Sequence, residues 1–358
     1  MSTFPDPDDR PRPHVVREDE PTRATHAEAR HQAARNSLEE ALFEVKRVIV
    51  GQDAMLERLL VALLTGGHVL LEGVPGLAKT LTVKTVAQVL GGTFTRVQFT
   101  PDLVPSDLVG TRVYRPDSGR FDTELGPVFG NFVLADEINR APAKVQSALL
   151  EVMQEHQVTI GGETHRLPEP FLVLATQNPI ESEGTYALPE AQTDRFLFKL
   201  VVGYPSPGEE AAVVARSLQP AAVVRELLSP ELLLRHRAEA AEVFVDREVI
   251  QYAVELADAT RHPGRYGLGD LAPFIEFGAS PRGPIGLVAA ARALALLRGR
   301  TYAVPQDVSD LAPDVLRHRL VLSYDALAED VDADQLLKQV LATVRMPDVD
   351  FHRGEGRR

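Results

Sequence analysis

The stretch "GVPGLAKT" (residues 73–80) follows the apolar run "HVLL" and precedes a pattern that reads as a helix. It comes one residue short of the phosphate-loop pattern G-x-x-x-x-G-K-[ST], because Ala78 stands where a glycine is usual. A Gly-rich turn between strand and helix is the plain alternative, and context decides between them: a phosphate loop needs a buried strand before it and a helix after it, and both are legible here. In that setting the backbone N–H groups of residues 76–80 surround a phosphate at a helix N-terminus. Lys79 then reaches the β- and γ-phosphates, and the Thr80 hydroxyl binds magnesium. The methyl group of Ala78 is tolerated where φ is negative, so it narrows the loop without removing a donor. Gly73, Pro75, Gly76, Leu77, Ala78, Lys79 and Thr80 are the candidate phosphate-binding residues.

Downstream, "NFVLADE" (131–137) reads as a buried strand ending in two acids. Asp136 is suited to the magnesium shell, and Glu137 to orienting or deprotonating an attacking water. A solvated strand end would look similar, but the phosphate loop upstream favours the chemical reading. "FLVLATQNP" (171–179) ends another strand in a polar cluster, where the Asn178 amide could bond the water or the γ-phosphate; a turn-forming Asn before Pro179 is the alternative.

"HVLLE", "FTRVQF", "NFVLADE", "FLVLAT" and "FLFKLVV" alternate with helical patterns up to about residue 218, the signature of a largely parallel sheet covered by helices. Ser37 and Glu40 have capping-box spacing, so the first helix is expected to start near "NSLEEALFEV". Residues 1–34, rich in Pro and charge, are expected to be a disordered tail, and 35–218 the nucleotide-binding core. Residues 225–346 read as a smaller all-helical domain, and 347–358 as a loose tail. The chain has 358 residues, enough for two domains. Acidic residues outnumber basic ones 51 to 38, a balance that opposes nucleic acid and anionic membranes by default. Cysteine is absent, which excludes disulfides and thiolate chemistry. No apolar run approaches the roughly 18–20 residues of a bilayer span, and the N-terminal residues lack the apolar stretch of a secretory signal, so a cytoplasmic location is expected.

"VIVGQD", "GVPGLAKT", "VLADEINRAPAKVQSALLEVMQE", "LATQNP", "EGTYALPEAQTDRF" and "GASPRG", in this order, resemble the MoxR family of AAA+ ATPases over roughly residues 37–346. The Ala-Lys-Thr ending is normal in that family, so the resemblance implies a working site. It implies an AAA+ P-loop core with a helical C-terminal lid, and ATP as the nucleotide. It places Val50, Gly51 and Gln52 beside the adenine, makes Asn178 sensor 1, and makes Arg195 an arginine finger supplied to a neighbouring subunit, with Arg140 competing for that role. It makes Arg282 sensor 2, carried by the lid. A homo-oligomer, a hexameric ring, is implied, as are client proteins with a von Willebrand factor A domain and chaperone-like remodelling, sometimes during metal or cofactor insertion. A metal-chelatase motor subunit and a nucleic-acid motor are the rival functions; the acidic balance weighs against the second.

"VYRPDSGRFD" and "VTIGGETHRL" have hairpin turn chemistry, and the resemblance makes them candidate substrate contacts facing the pore of a ring. The ten histidines show no metal-binding spacing, and His156 and His165 read as surface or hairpin residues.

Overall fold

In the computed structural model, which describes residues 23–73, 79–178, 185–220 and 222–349, the five apolar runs form one sheet. Its strands are β1 (Val69–Gly73), β2 (Phe94–Gln98), β5 (Phe132–Asp136), β8 (Leu172–Gln177) and β9 (Phe198–Val202). All neighbours are parallel, in the order β2-β5-β8-β1-β9. The runs lack polar alternation because both faces are covered, and successive residues serve different cores. Val69, Leu71, Phe132, Leu134, Leu172 and Leu174 point into one cluster. Leu70, Val133, Ala135, Val173 and Ala175 point into the other.

The first cluster is filled by α1 (Arg23–Lys46), α2 (Asp53–Thr65) and α3 (Lys79–Val89), the second largely by α4 (Pro105–Val109) and α5 (Ala143–Glu155). His68 locks the entry of β1 to both layers: its Nδ1 accepts from the Val173 amide at 3.0 Å, and its Nε2 pairs with the Met153 carbonyl at 3.1 Å. Burial pushes its pKa down to about 4, so the ring is neutral.

Two hairpins project from this core. β3 (Gly110–Arg115) pairs with β4 (Arg120–Leu125), and β6 (Gln157–Ile160) with β7 (Glu163–Arg166). Gly161 and Gly162 turn the second with φ of 59° and 90°, which glycine adopts without strain. The hairpins meet where Arg112 crosses Gly161.

After β9, α6 (Glu190–Thr193) having preceded it, α7 (Pro207–Ser217) leads into the helical region. There α8 (Pro230–Glu242), α9 (Arg247–Arg261) and α11 (Pro305–Leu316) pack around α10 (Arg282–Leu297), α13 (Ala333–Thr343) packs on α9 and α11, and α12 (Tyr324–Ala328) lies against residues 269–274. Alanines and leucines on several sides of α10 are buried, which lets α2, α8, α9 and α11 approach it closely. The apolar cluster of this lid is continuous with the one beneath the sheet.

Two local expectations differ from the structure. The first helix begins at Arg23, not near residue 35, and Ser37 is not its cap but a mid-helix residue whose Oγ donates to the Ala34 carbonyl and meets His236 Nε2 at 2.8 Å. His31 and Ala34, expected in the tail, are buried. The carbonyl of His156, at the base of the second hairpin, accepts from the Leu167 amide at 3.0 Å, and the His156 ring is half-buried against those of Phe171 and His68. At the other end Val349 packs against the core. Residues 1–22 and 350–358 lie outside the described residues, so most of both expected tails does too.

Candidate functional site

β1 and α3 deliver the two ends of the phosphate-loop candidate. Gly73 closes β1 opposite Val202, where a Cβ would stand 2.5 Å from the Val202 carbonyl oxygen, so glycine is required by close packing. Pro75, Gly76, Leu77 and Ala78 lie outside the described residues. Lys79 and Thr80 open α3, and Lys79 Nζ turns back to the Gly73 carbonyl. Burial lowers the lysine pKa, and the carboxylates of Asp136, Glu72 and Glu137 oppose that shift.

The acid pair sits at the same carboxyl edge, where ligands of open parallel sheets bind. Thr176 of β8 organises both acids. Its hydroxyl donates to Asp136 Oδ1 at 2.6 Å and accepts from the Glu137 amide at 2.9 Å. Glu137 has φ 57°, a left-handed conformation uncommon for a residue with a Cβ and costly unless the surroundings impose it. Its Oε2 accepts from Gln98 Nε2 and from Arg140 Nε, both at 2.9 Å. Asp136 Oδ2 accepts from Arg96 at 2.7 and 3.1 Å, and Arg96 also donates to Gln98 Oε1 at 2.9 Å. Asn178 follows Gln177, which pairs with Glu72, so this buried residue stands level with Gly73, between the ends of β1 and β5.

Sequence reasoning missed Thr176, Arg96 and Gln98. The signal available was polar side chains inside apolar strands, in "FTRVQF" and "FLVLAT"; that they meet the acids depends on strand register, with Gln98 opposite Asp136.

The base-side candidates are close by. Gly51 has φ 67°, and a Cβ there would overlap the Glu209 carboxylate, so the chain turns tightly between Val50 and Gln52. Gln52, Val202, Gly203, Tyr204, Pro205 and Arg317 help line an open groove. Because Val202 pairs with Gly73, this groove lies beside the end of β1. Arg317 belongs to the lid, so the groove is lined by both parts of the chain.

The two remaining arginines come from different segments, linked through Asp194. Arg195 follows α6, and its Nε is buried without a hydrogen-bond partner among the described residues. Arg282 opens α10 and approaches Asp194 Oδ2 at 3.4 Å. Thus Lys79, Thr80, Asp136, Glu137 and Asn178 share one sheet edge, Gln52 lines the groove with Val50 and Gly51 next to it in the chain, and Arg282 bonds Asp194, the residue before Arg195.

This donor set fits a magnesium nucleotide. A hydroxyl and a carboxylate are the oxygen ligands such an ion takes, and a lysine meets the phosphates. Comparison with known proteins agrees. The profile of the ATPase family associated with various cellular activities (AAA) matches residues 68–198, and that of the AAA lid domain matches 271–340. The chain is 60% identical over 315 residues to Chaperone MoxR1 of Mycobacterium tuberculosis, covering 88% of this chain and 84% of that one. It is 33% identical over 325 residues to Protein MoxR of Methylorubrum extorquens, covering 85% and 93%. The crystal structure of a candidate ATPase from Cytophaga hutchinsonii superposes with a TM-score of 0.86 at 47% identity, over 91% of this chain and 99% of that one.

Proposed function

Since the chain belongs to the MoxR family of AAA+ ATPases, we propose that its ATP hydrolysis drives chaperone-like remodelling of partner proteins, foremost those with a von Willebrand factor A domain. The working form in this reading is a cytoplasmic hexameric ring whose hydrolysis is magnesium-dependent. The observation that carries the catalytic part is the constellation at the sheet edge, where Lys79, Asp136, Glu137 and Asn178 share one rim with Thr80.

Each residue has a task that follows from its position. Thr80 and Asp136 would hold the ion, which when bound neutralises charge on the β- and γ-phosphates. Lys79 holds the terminal phosphates. Glu137 accepts the proton of the attacking water, and Asn178 orients that water or the γ-phosphate. Gln52 and the groove beside Tyr204 receive the base. Arg140 is engaged with Glu137 of its own chain, which leaves Arg195 as the trans arginine in this reading. A planar guanidinium stabilises charge developing on the transferred phosphoryl group and is useful only if a second copy supplies the nucleotide, so the ring follows from the assignment. Arg282 couples the lid to the γ-phosphate, and the two hairpins contact the client.

Glu137→Gln tests the chemistry and the client together. It should bind ATP while kcat falls on the order of 10²–10⁴-fold. In its ATP-bound state it should then capture a von Willebrand factor A protein from native cytosol, identified by mass spectrometry, and Lys79→Ala should not. Unchanged turnover would refute Glu137 as the base. Recovery of nuclease-sensitive material alone would replace the client reading with a nucleic-acid motor.

A further inference from the structure

Arg319, in the turn that follows α11, is a lid residue with a side chain only 3% exposed, and among the described residues all of its side-chain hydrogen bonds but one run to the segment that carries Arg195. Its Nε donates to Asp194 Oδ1 at 2.9 Å. One terminal nitrogen donates to the carbonyls of Asp194 at 3.2 Å and Phe196 at 2.7 Å. The other donates to the Leu197 carbonyl at 3.2 Å and to the Val315 carbonyl of α11. Its neighbour His318 adds a bond from Nε2 to the Phe196 carbonyl at 3.0 Å. The backbone is therefore gripped on both sides of Arg195 by one rigid fork of donors, a geometry that lysine cannot reproduce.

Asp194 carries the link further. Its carboxylate accepts from Ser280 Oγ at 2.9 and 3.1 Å and from Arg282 at 3.4 Å, both from the segment that opens α10. Burial lowers the Arg319 pKa to about 10, with Asp194 opposing the shift, so the guanidinium remains charged at neutral pH.

We propose that Arg319 is the positioning residue for Arg195: from the lid, it fixes segment 194–197 so that the Arg195 side chain is presented to nucleotide, and through Asp194 it couples Arg195 to Arg282. The proposal rests on the reading that Arg195 acts on a bound nucleotide. Arg319 touches neither nucleotide nor reacting atoms in this scheme. Its effect is geometric, and a displacement near 1 Å at a catalytic group costs roughly 10²-fold in rate. Lid and arginine would then move as one body.

The test compares the full-length wild type, Arg195→Ala, Arg319→Lys and the double variant for kcat, ATP affinity and Tm. Arg319→Lys should lower kcat roughly 10²-fold with ATP affinity unchanged. In the Arg195→Ala background it should lower kcat no further, because both changes remove one and the same contribution. Multiplying effects in the double variant would overturn the proposal, as would wild-type kcat in Arg319→Lys beside a slow Arg195→Ala. Wild-type kcat in Arg195→Ala would instead sink the reading of Arg195 itself, and the proposal with it. If Arg319→Lys does not fold, Asp194→Asn decides, since it leaves every backbone carbonyl to Arg319. A lower kcat that is non-additive with Arg195→Ala supports the coupling, and wild-type kcat overturns it.

Discussion

The Thr176 hydroxyl donates to Asp136 and accepts from the Glu137 amide, so one side chain sets the orientation of the first acid and holds the left-handed backbone of the second. Thr176→Val keeps the shape and removes both bonds. The Glu137 amide, left unsatisfied, should cost about 1–3 kcal/mol in chemical denaturation. ATP turnover should fall with it, and Thr176→Ser, which restores the hydroxyl, should recover both. Loss of stability without loss of turnover would show that Thr176 supports the fold and not the acids. The places of Lys79 at a helix start and of Asp136 and Glu137 at a strand end were legible in the sequence, because each stands in a short local pattern. Thr176, Arg96 and Gln98 were not, because their role is set by which residues the parallel register places side by side, and no local window holds that information.

At the scale of elements, α1 shows how packing overrides a local signal. Ser37 and Glu40 have the spacing of a helix start, yet the helix continues upstream because His31 and Ala34 are buried and the Ser37 hydroxyl meets His236 of α8. Most of a helix's stability comes from its packed face, so a capping pattern inside a longer packed helix carries no weight. The same helix is tied to residue 225 by Glu44, whose buried carboxylate accepts from the Arg225 amide and guanidinium and from Arg47. The Arg225 and Arg47 hydrogen bonds lower its pKa from 4.5 to about 2. The sign follows from linkage: the folded form binds the proton less readily than the unfolded chain, so this stabilisation is complete above pH 4.5 and is lost as pH falls towards 2. In acid titrations of folding, Glu44→Gln should therefore be less stable than the wild type at neutral pH, and the difference should shrink across that window. A constant difference would exclude this origin. The parallel strands were legible element by element from their unbroken apolar runs, the lid helices from their helical patterns, and the two hairpins from their turn residues.

The whole molecule joins its two parts through one apolar core and through lid residues that reach back to the sheet. Arg58 of α2 bonds Asp314 and the Asp310 carbonyl of α11, while Arg317 and Arg319 bond the carbonyls of residues 194–199. The sequence shows that a helical domain follows an α/β core. It does not show that the lid packs on α1 and α2, since those contacts join residues far apart in the chain. In the proposed ring, Glu137 of one copy and Arg195 of the next complete each site, which a mixture of two inactive variants measures directly. Glu137→Gln and Arg195→Ala should each turn over ATP slowly alone. Once mixed and reassembled, boundaries that pair an intact Glu137 with an intact Arg195 should restore turnover well above either variant. Turnover no greater than the average of the two would contradict a site shared between subunits.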